Sequence, residues 1–344
     1  MKYAHWILAG IVLASGFMIT GCVGAASAKP PRAVAAASTD IDPDFLEFAR
    51  ELNRDAGLAE SDVLATLGKA KVQQGILDAM SRPAEAKPWK DYRPIFLTAK
   101  RRDDGIAFYK ANRELIERAG NEFGVAPEII VAIIGVETSY GRNYGSYRVL
   151  DALVTLAFHY PPRAKFFRGE LRQLFLLGDS HMAYPIDELV GSYAGAMGWG
   201  QFIPTSVANF ARDYDGDGRI DLWNSLPDII GSVANYFAVH GWQKGGLVAV
   251  ASNTAPNARS ISPSGLDPVY PVEQLQAWGY VPAQPVEPTE LATLLRLDGS
   301  KGTEDWLTFH NFYVISRYNR SPLYSMAVWQ LSTEIARGVA SSTP

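Results

Sequence analysis

Apolar residues recur at three- and four-residue steps from Asp42 to about Leu77: Phe45, Phe48, Ala49, Leu52, Val63, Leu64, Leu67 and Val72. That spacing predicts helix. A second helical stretch is expected from Asp103 to Phe123. Gly124-Val125-Ala126-Pro127-Glu128 then reads as a helix start, with Pro and an acid in the first turn. It introduces the run Ile129 to Val136, which is apolar all round, and Gly141 is the expected stop. Residues 149–159 and 163–178 step helically on either side of Pro161-Pro162, and Val233–Phe237 belongs to a further helix. Between 244 and about 300 the chain turns rich in Gly, Pro, Ser and Asn with short apolar pieces, which predicts strands and loops. Helical spacing resumes from Leu323 to Ala336. The expected fold class is mainly α (α+β), a helical body carrying a small β-rich insertion.

The amino terminus follows a different pattern. Lys2 precedes an apolar stretch, Trp6 to Ile19, that ends in Ile19-Thr20-Gly21-Cys22. A short basic region, an apolar core and small residues form a secretory signal, and the core is short for a membrane span. Cys22 is the single cysteine of 344 residues, so an internal disulfide is excluded. The tetrad resembles a bacterial lipoprotein signal, which would make Cys22 the lipidated first residue; otherwise Cys22 is an incidental small hydrophobe. Val23 follows it, where Asp would favour the inner membrane. Residues 23–40, almost all Ala, Pro, Ser and Gly, read as a tether. With 47% hydrophobic residues and a net charge of −4, the remainder can bury a large core, and without a basic stripe it offers nothing to nucleic acid.

Four segments carry chemistry. Glu137 closes the apolar run and is followed by Thr138-Ser139-Tyr140-Gly141-Arg142. Burial among Ile and Val disfavours its charged form, and so does the negative end of a helix. Both hold the carboxyl protonated towards neutral pH, as a general acid requires. The plain alternative is a helix-terminal Glu reaching out to water. The stretch Gly191 to Ser206 mixes glycines at 191, 195, 198 and 200 with aromatic rings and the Gln201 amide, the flat faces and donors of a sugar site. A close-packed helix pair would use small residues too. Arg317 to Tyr324 sets polar and aromatic groups before a helix, as a groove lining or a cap. Asp213, Asp215 and Asp217 with Gly218 match the first half of an EF-hand calcium loop. Position twelve is Asn224 where Glu is expected, and a surface Asp-Gly turn is the alternative.

Glu137, the Gly191–Ser206 stretch and the Arg317–Tyr324 stretch, in this order and spacing, resemble the membrane-bound lytic murein transglycosylase B family, over about residues 42 to 337. The resemblance implies a lysozyme-like core over residues 125–243 and 309–337, with a signal peptide (1–21), a tether (22–41), an N-terminal helical region (42–124) and a β-rich insertion (244–308). It makes Glu137 the single catalytic acid, with Ser192 and Gln201 along the glycan groove and Tyr236, Tyr318, Asn319 and Tyr324 around the scissile bond. It implies cleavage of peptidoglycan between N-acetylmuramic acid and N-acetylglucosamine with closure of a 1,6-anhydro ring, and no cofactor in catalysis. It also implies a structural calcium ion on a longer loop, held by Asp213, Asp215, Asp217, the Arg219 carbonyl and Asp228. Here that loop is one residue longer still, which leaves its closing ligand open. The implied setting is a monomeric lipoprotein of the Gram-negative outer membrane, facing the periplasm, anchored through lipid on Cys22 and acting on glycan strands. Two alternatives stand beside it: a muramidase that uses water, with a second carboxylate such as Asp151 or Asp187, and a non-catalytic wall-binding lipoprotein.

Overall fold

The computed structural model describes residues 41–81, 87–179 and 181–341. The signal, Cys22 and the tether up to residue 40 lie outside the described residues. The described chain forms two compact units, which part between residues 69 and 70.

The first unit holds α1 (Pro43–Ala56) and α2 (Glu60–Leu67). The Asp42 carboxylate accepts from Asp44 N at 2.9 Å and Pro43 takes the first helical position, where its missing N–H costs nothing. Gly57, left-handed at φ 72°, ends α1. The two helices pack together, with Phe48, Ala49, Leu52, Val63 and Leu67 buried. The helical spacing that runs on to Leu77 is therefore cut into three, because α3 (Gln74–Ser81) starts the second unit after a break at Gly68.

The second unit continues with α4 (Trp89–Phe96), α5 (Ala99–Ala111), α6 (Arg113–Phe123) and α7 (Pro127–Thr138). The helix expected over 103–123 is two helices meeting at Asn112. Helix α4 was not expected, since Pro88 and Pro94 flank or interrupt it; its buried face is Trp89 and Tyr92. Every residue of α7 from Ile129 to Val136 is buried, which is what an all-round apolar helix requires. It is the axis of the core, and α5, α6, α11 (Leu226–Val239) and α14 (Pro322–Ala340) pack against it.

Helices α8 (Val149–His159) and α9 (Ala164–Leu177), joined by a tight turn at Pro161–Arg163, pack on each other, and α10 (Pro204–Phe210) packs on α9 and α11. A two-stranded pair, β1 (Tyr147–Arg148) and β2 (Val190–Gly191), brings the turn after α7 alongside the glycine-rich stretch. The insertion supplies a five-stranded antiparallel sheet in the order β4-β6-β7-β3-β5, made of β3 (Ala249–Thr254), β4 (Tyr270–Pro271), β5 (Tyr280–Pro282), β6 (Leu291–Gly299) and β7 (Gly302–Thr308). Together with α12 (Val272–Ala277) it encloses its own small core, Val250, Leu275, Tyr280, Leu307 and Phe309 among others. Helix α13 (His310–Tyr318) then returns the chain to the helical body ahead of α14. The expected class, mainly helical with a small β-rich insertion, is the class observed. Among the described residues no single helix is long and apolar enough to cross a membrane.

Candidate active site

Helix α7 does not run on to Gly141. Ser139 (φ 52°) and Tyr140 (φ 60°) both take left-handed conformations, and Gly141 (φ 77°) makes a third. Among the described residues the other non-glycine residue at positive φ is Gln201, at 53°. All three strained residues belong to the two segments that the sequence marks as chemical, and such strain persists where surrounding contacts over-determine it. Gly141 has no freedom to be anything else: a Cβ there would lie 2.1 Å from the Trp199 ring. The Thr138 hydroxyl completes the join, 3.0 Å from the Trp199 carbonyl and 3.1 Å from Gly141 N. The end of α7 is thus pinned to the glycine-rich stretch, which is no helix pair but a loop folded on itself by bridges from Met197 to Gly191 and Phe202.

Glu137 lies at this junction. It is partly buried, keeping an opening to solvent, while dense protein around its carboxyl raises its pKa from 4.5 to about 7. The opposing influence is the Tyr324 hydroxyl, which donates to Glu137 Oε1 at 2.6 Å and favours the carboxylate. No second carboxylate figures among these influences. Asp151, one candidate for that role, is buried and bound to Arg148 at 2.5 Å and to Lys71 N at 2.9 Å.

Of the residues expected around the scissile bond, Tyr324 touches the carboxyl directly. Tyr318 feels its charge and donates to the Gly200 carbonyl at 2.5 Å, tying the end of α13 to the glycine-rich loop. Tyr236 donates to the Arg317 carbonyl at 2.6 Å and stacks on His240, so its hydroxyl is engaged inward. Asn319 is buried, and its Oδ1 accepts from Ser321 N at 3.0 Å to shape the start of α14. The Ser192 hydroxyl accepts from Ala194 N and Ala196 N at 3.2 and 3.1 Å. Gln201 spends its Nε2 on the Gly198 and Tyr144 carbonyls at 2.9 and 3.1 Å.

Tyr92 was missed. Its hydroxyl is buried without a hydrogen-bond partner, and its proton is held more firmly by burial and by the charge of Glu137. The sequence signal for it is Trp89, Tyr92 and Phe96 at helical spacing, in a stretch that begins after Pro88 and runs through Pro94.

The acidic loop folds as its spacing suggests. Oxygens of Asp213, Asp215 and Asp217 lie within 4.8 Å of one another, all exposed. Gly216 N, Asp217 N and Gly218 N converge on the Asp213 carboxylate at 2.7 to 3.1 Å, and Arg219 N bonds Asp217 at 2.8 Å. Asp228 is not one of the three converging groups, though it lies near enough to Asp215 to feel its charge. It is buried, and its two oxygens accept from Tyr214 N and Asp221 N at 2.7 and 2.8 Å, clamping both sides of the loop. Three converging hard carboxylate oxygens suit Ca²⁺.

Comparison with known proteins bears on the whole of this arrangement. Residues 41–333 match the family model described as the transglycosylase SLT domain. The membrane-bound lytic murein transglycosylase B of Escherichia coli (strain K12) is 42% identical over 306 residues, 86% of this chain and 83% of that protein. The crystal structure of the soluble lytic transglycosylase SltB1 from Pseudomonas aeruginosa superposes with a TM-score of 0.81 at 47% identity, covering 86% of this chain and 99% of that one. The Escherichia coli lytic transglycosylase Slt35 in complex with calcium does so with a TM-score of 0.77 at 41% identity, covering 87% and 94%. The chain has the lysozyme-like fold of these proteins and belongs to the SLT-domain family of lytic transglycosylases.

Proposed function

We propose that this protein cleaves the glycan strands of peptidoglycan as a lytic transglycosylase, with Glu137 acting first as acid and then as base. The observation that carries this reading is one carboxyl with a pKa near 7, bonded to Tyr324 and uninfluenced by a second acid. At neutral pH a large share of it is protonated. It donates that proton to the glycosidic oxygen between N-acetylmuramic acid and N-acetylglucosamine as the C1–O bond breaks. The carboxylate so formed takes the proton of the muramoyl C6 hydroxyl, whose oxygen bonds to C1 and closes the 1,6-anhydro ring. Glu137 ends protonated and no water is consumed. Ordinary glycosidases divide these roles between two carboxylates roughly 5 to 9.5 Å apart, which makes the water-using muramidase the weaker reading. A module that merely grips glycan has little use for so poorly solvated a carboxyl.

In this reading Tyr324 orients the carboxyl, Tyr318, Asn319 and Tyr236 shape the wall at the scissile bond, and Ser192 and Gln201 hold the glycan along the loop. Residues 125–243 and 309–337 form the catalytic core. Asp213, Asp215, Asp217 and the Arg219 carbonyl hold a structural Ca²⁺ on a loop clamped by Asp228; when bound, the ion supplies loop rigidity and no chemistry. The mature chain is a lipoprotein of the outer membrane anchored through Cys22, a reading supported by the Ile-Thr-Gly-Cys tetrad and by the membrane-bound relative.

The test is digestion of purified peptidoglycan by an unlipidated form (signal removed, Cys22→Ser), with released muropeptides read by mass spectrometry. Anhydromuramoyl ends that vanish in Glu137→Gln are the expected result. Free reducing ends would overturn it in favour of hydrolysis, and intact glycan would leave a binding protein.

A further inference from the structure

Arg101 lies in the first turn of α5 and reaches two other elements with separate arms of its guanidinium. Nη1 donates to the Ile95 carbonyl in the last turn of α4 at 2.7 Å, and Nη2 donates to the Ser139 hydroxyl at 3.0 Å, two residues past Glu137. The guanidinium lies over the Phe96 ring, 5.2 Å from its centroid. The carbonyl of Arg101 itself accepts from the Tyr140 hydroxyl at 2.9 Å. Helix α4 carries Tyr92, and the Ser139–Tyr140 turn ends the helix that carries Glu137. One side chain therefore links two elements that face the reacting carboxyl.

The link is held under unfavourable local conditions. Ser139 and Tyr140 are both left-handed, a conformation that side chains bearing a Cβ adopt only against strain. The Arg101 Nε–H is buried without a partner, and burial weakens the guanidinium's hold on its proton. Bare backbone at Gly105 and Gly135 makes room for the Tyr140 ring: a Cβ at either would stand 2.3 or 2.5 Å from its hydroxyl. A fastening needed for stability alone would be built more cheaply than this, with its donors all satisfied and its turn unstrained.

We propose that Arg101 is a positioning residue for proton transfer: its fork clamps the α4–α5 corner onto the Ser139–Tyr140 turn and so limits the access of bulk water to the Glu137 carboxyl. The inference rests on Glu137 being the proton donor. The groups that face the carboxyl are Tyr92 from α4, Tyr318 from α13 and Tyr324 from α14. Those that face Arg101 are Tyr140, Asp104 and Arg142, and Asp104 is itself paired with Lys100 and Arg142. Arg101 is not among the influences on the Glu137 proton, so its effect runs through water access and not through its charge.

The experiment follows the carboxyl ¹³C resonance of Glu137 through a pH titration of the unlipidated protein, assigned by its loss in Glu137→Gln. In Arg101→Met the midpoint should fall by about one pH unit as water reaches the carboxyl. Arg101→Lys, which can keep one of the two bonds, should fall between. Ser139→Gly removes the hydroxyl while favouring the left-handed turn, and should move in the same direction as Arg101→Met. The high-pH limb of kcat should shift to lower pH by the same amount, with KM little changed. An unchanged midpoint in folded Arg101→Met, with activity either kept or lost uniformly across pH, would reduce Arg101 to a fastening and overturn the proposal. If Arg101→Met does not fold, the midpoint in Ser139→Gly decides the matter in the same way. The midpoint is read without substrate, so it stands or falls separately from the anhydromuramoyl test.

Discussion

Replacing Glu137 by Gln should abolish cleavage and at the same time stabilise the protein, in a pH-dependent way. The carboxyl titrates near 4.5 when unfolded and at about 7 in the folded protein. A raised folded-state value means that the folded protein binds the proton more tightly. Below pH 4.5 both states are protonated and no stability is lost. Between 4.5 and 7 the unfolded chain ionises first, so folding stability falls steadily with rising pH; above 7 the loss is complete. A difference of about 2.5 pH units corresponds to about 3.4 kcal/mol at 1.36 kcal/mol per unit. Because Glu137 keeps a partial opening to solvent, about 2–3 kcal/mol is the expected loss. Gln has the same shape, can accept from Tyr324, and never ionises. Urea unfolding followed by circular dichroism should therefore give equal stabilities for the two proteins at pH 4 and a gain of about 2–3 kcal/mol for Glu137→Gln at pH 8. Equal stabilities at every pH would refute the claim that desolvation sets this carboxyl's affinity for its proton.

Tyr324→Phe removes the bond that favours the carboxylate, so the Glu137 pKa should rise further and the high-pH limb of the rate should move up by at most about one unit; pH–rate profiles of the two proteins check this, and a shift to lower pH would contradict it. Gly141→Ala meets both a left-handed φ of 77° and a Trp199 ring atom at 2.1 Å, and should lose more than about 2 kcal/mol in the same urea assay. Calcium should raise the melting temperature, by the equivalent of about 2.7 kcal/mol at a hundredfold excess over Kd; Asp213→Asn should abolish that rise, whereas a chelator that leaves the native protein's melting temperature unmoved would argue for a plain acidic turn.

The elements legible in the sequence are those whose burial pattern is simple. Helix α7 was readable because a helix buried on every side must be apolar on every side, and the start at Pro127 carries its own local signature. Its end was misread by two to three residues. Gly141 invites a stop, yet the chain turns already at Ser139, because Thr138 and Tyr140 are claimed by Trp199 and Arg101 from distant segments. Helix α4 is hidden by Pro88 before it and Pro94 within it, and Tyr92 with it. Local propensity argues against that helix; the pocket its aromatic face fills against the central core is what makes it form.

From its sequence alone this chain is a mainly helical protein with one poorly solvated carboxyl at a helix end, a glycine-rich aromatic stretch, an acidic loop and a secretory start. Those properties are local: periodicity, composition and spacing are enough to express them. Only the tertiary structure decides that Tyr324, 187 residues away, puts its hydroxyl on Glu137, that Asp228 engages both its oxygens with backbone amides on the two sides of the loop, and that Arg101 fastens α4 to the turn behind the carboxyl. Each of these is a contact between segments far apart in the chain. Its geometry depends on how buried faces pack, and no run of neighbouring residues encodes that.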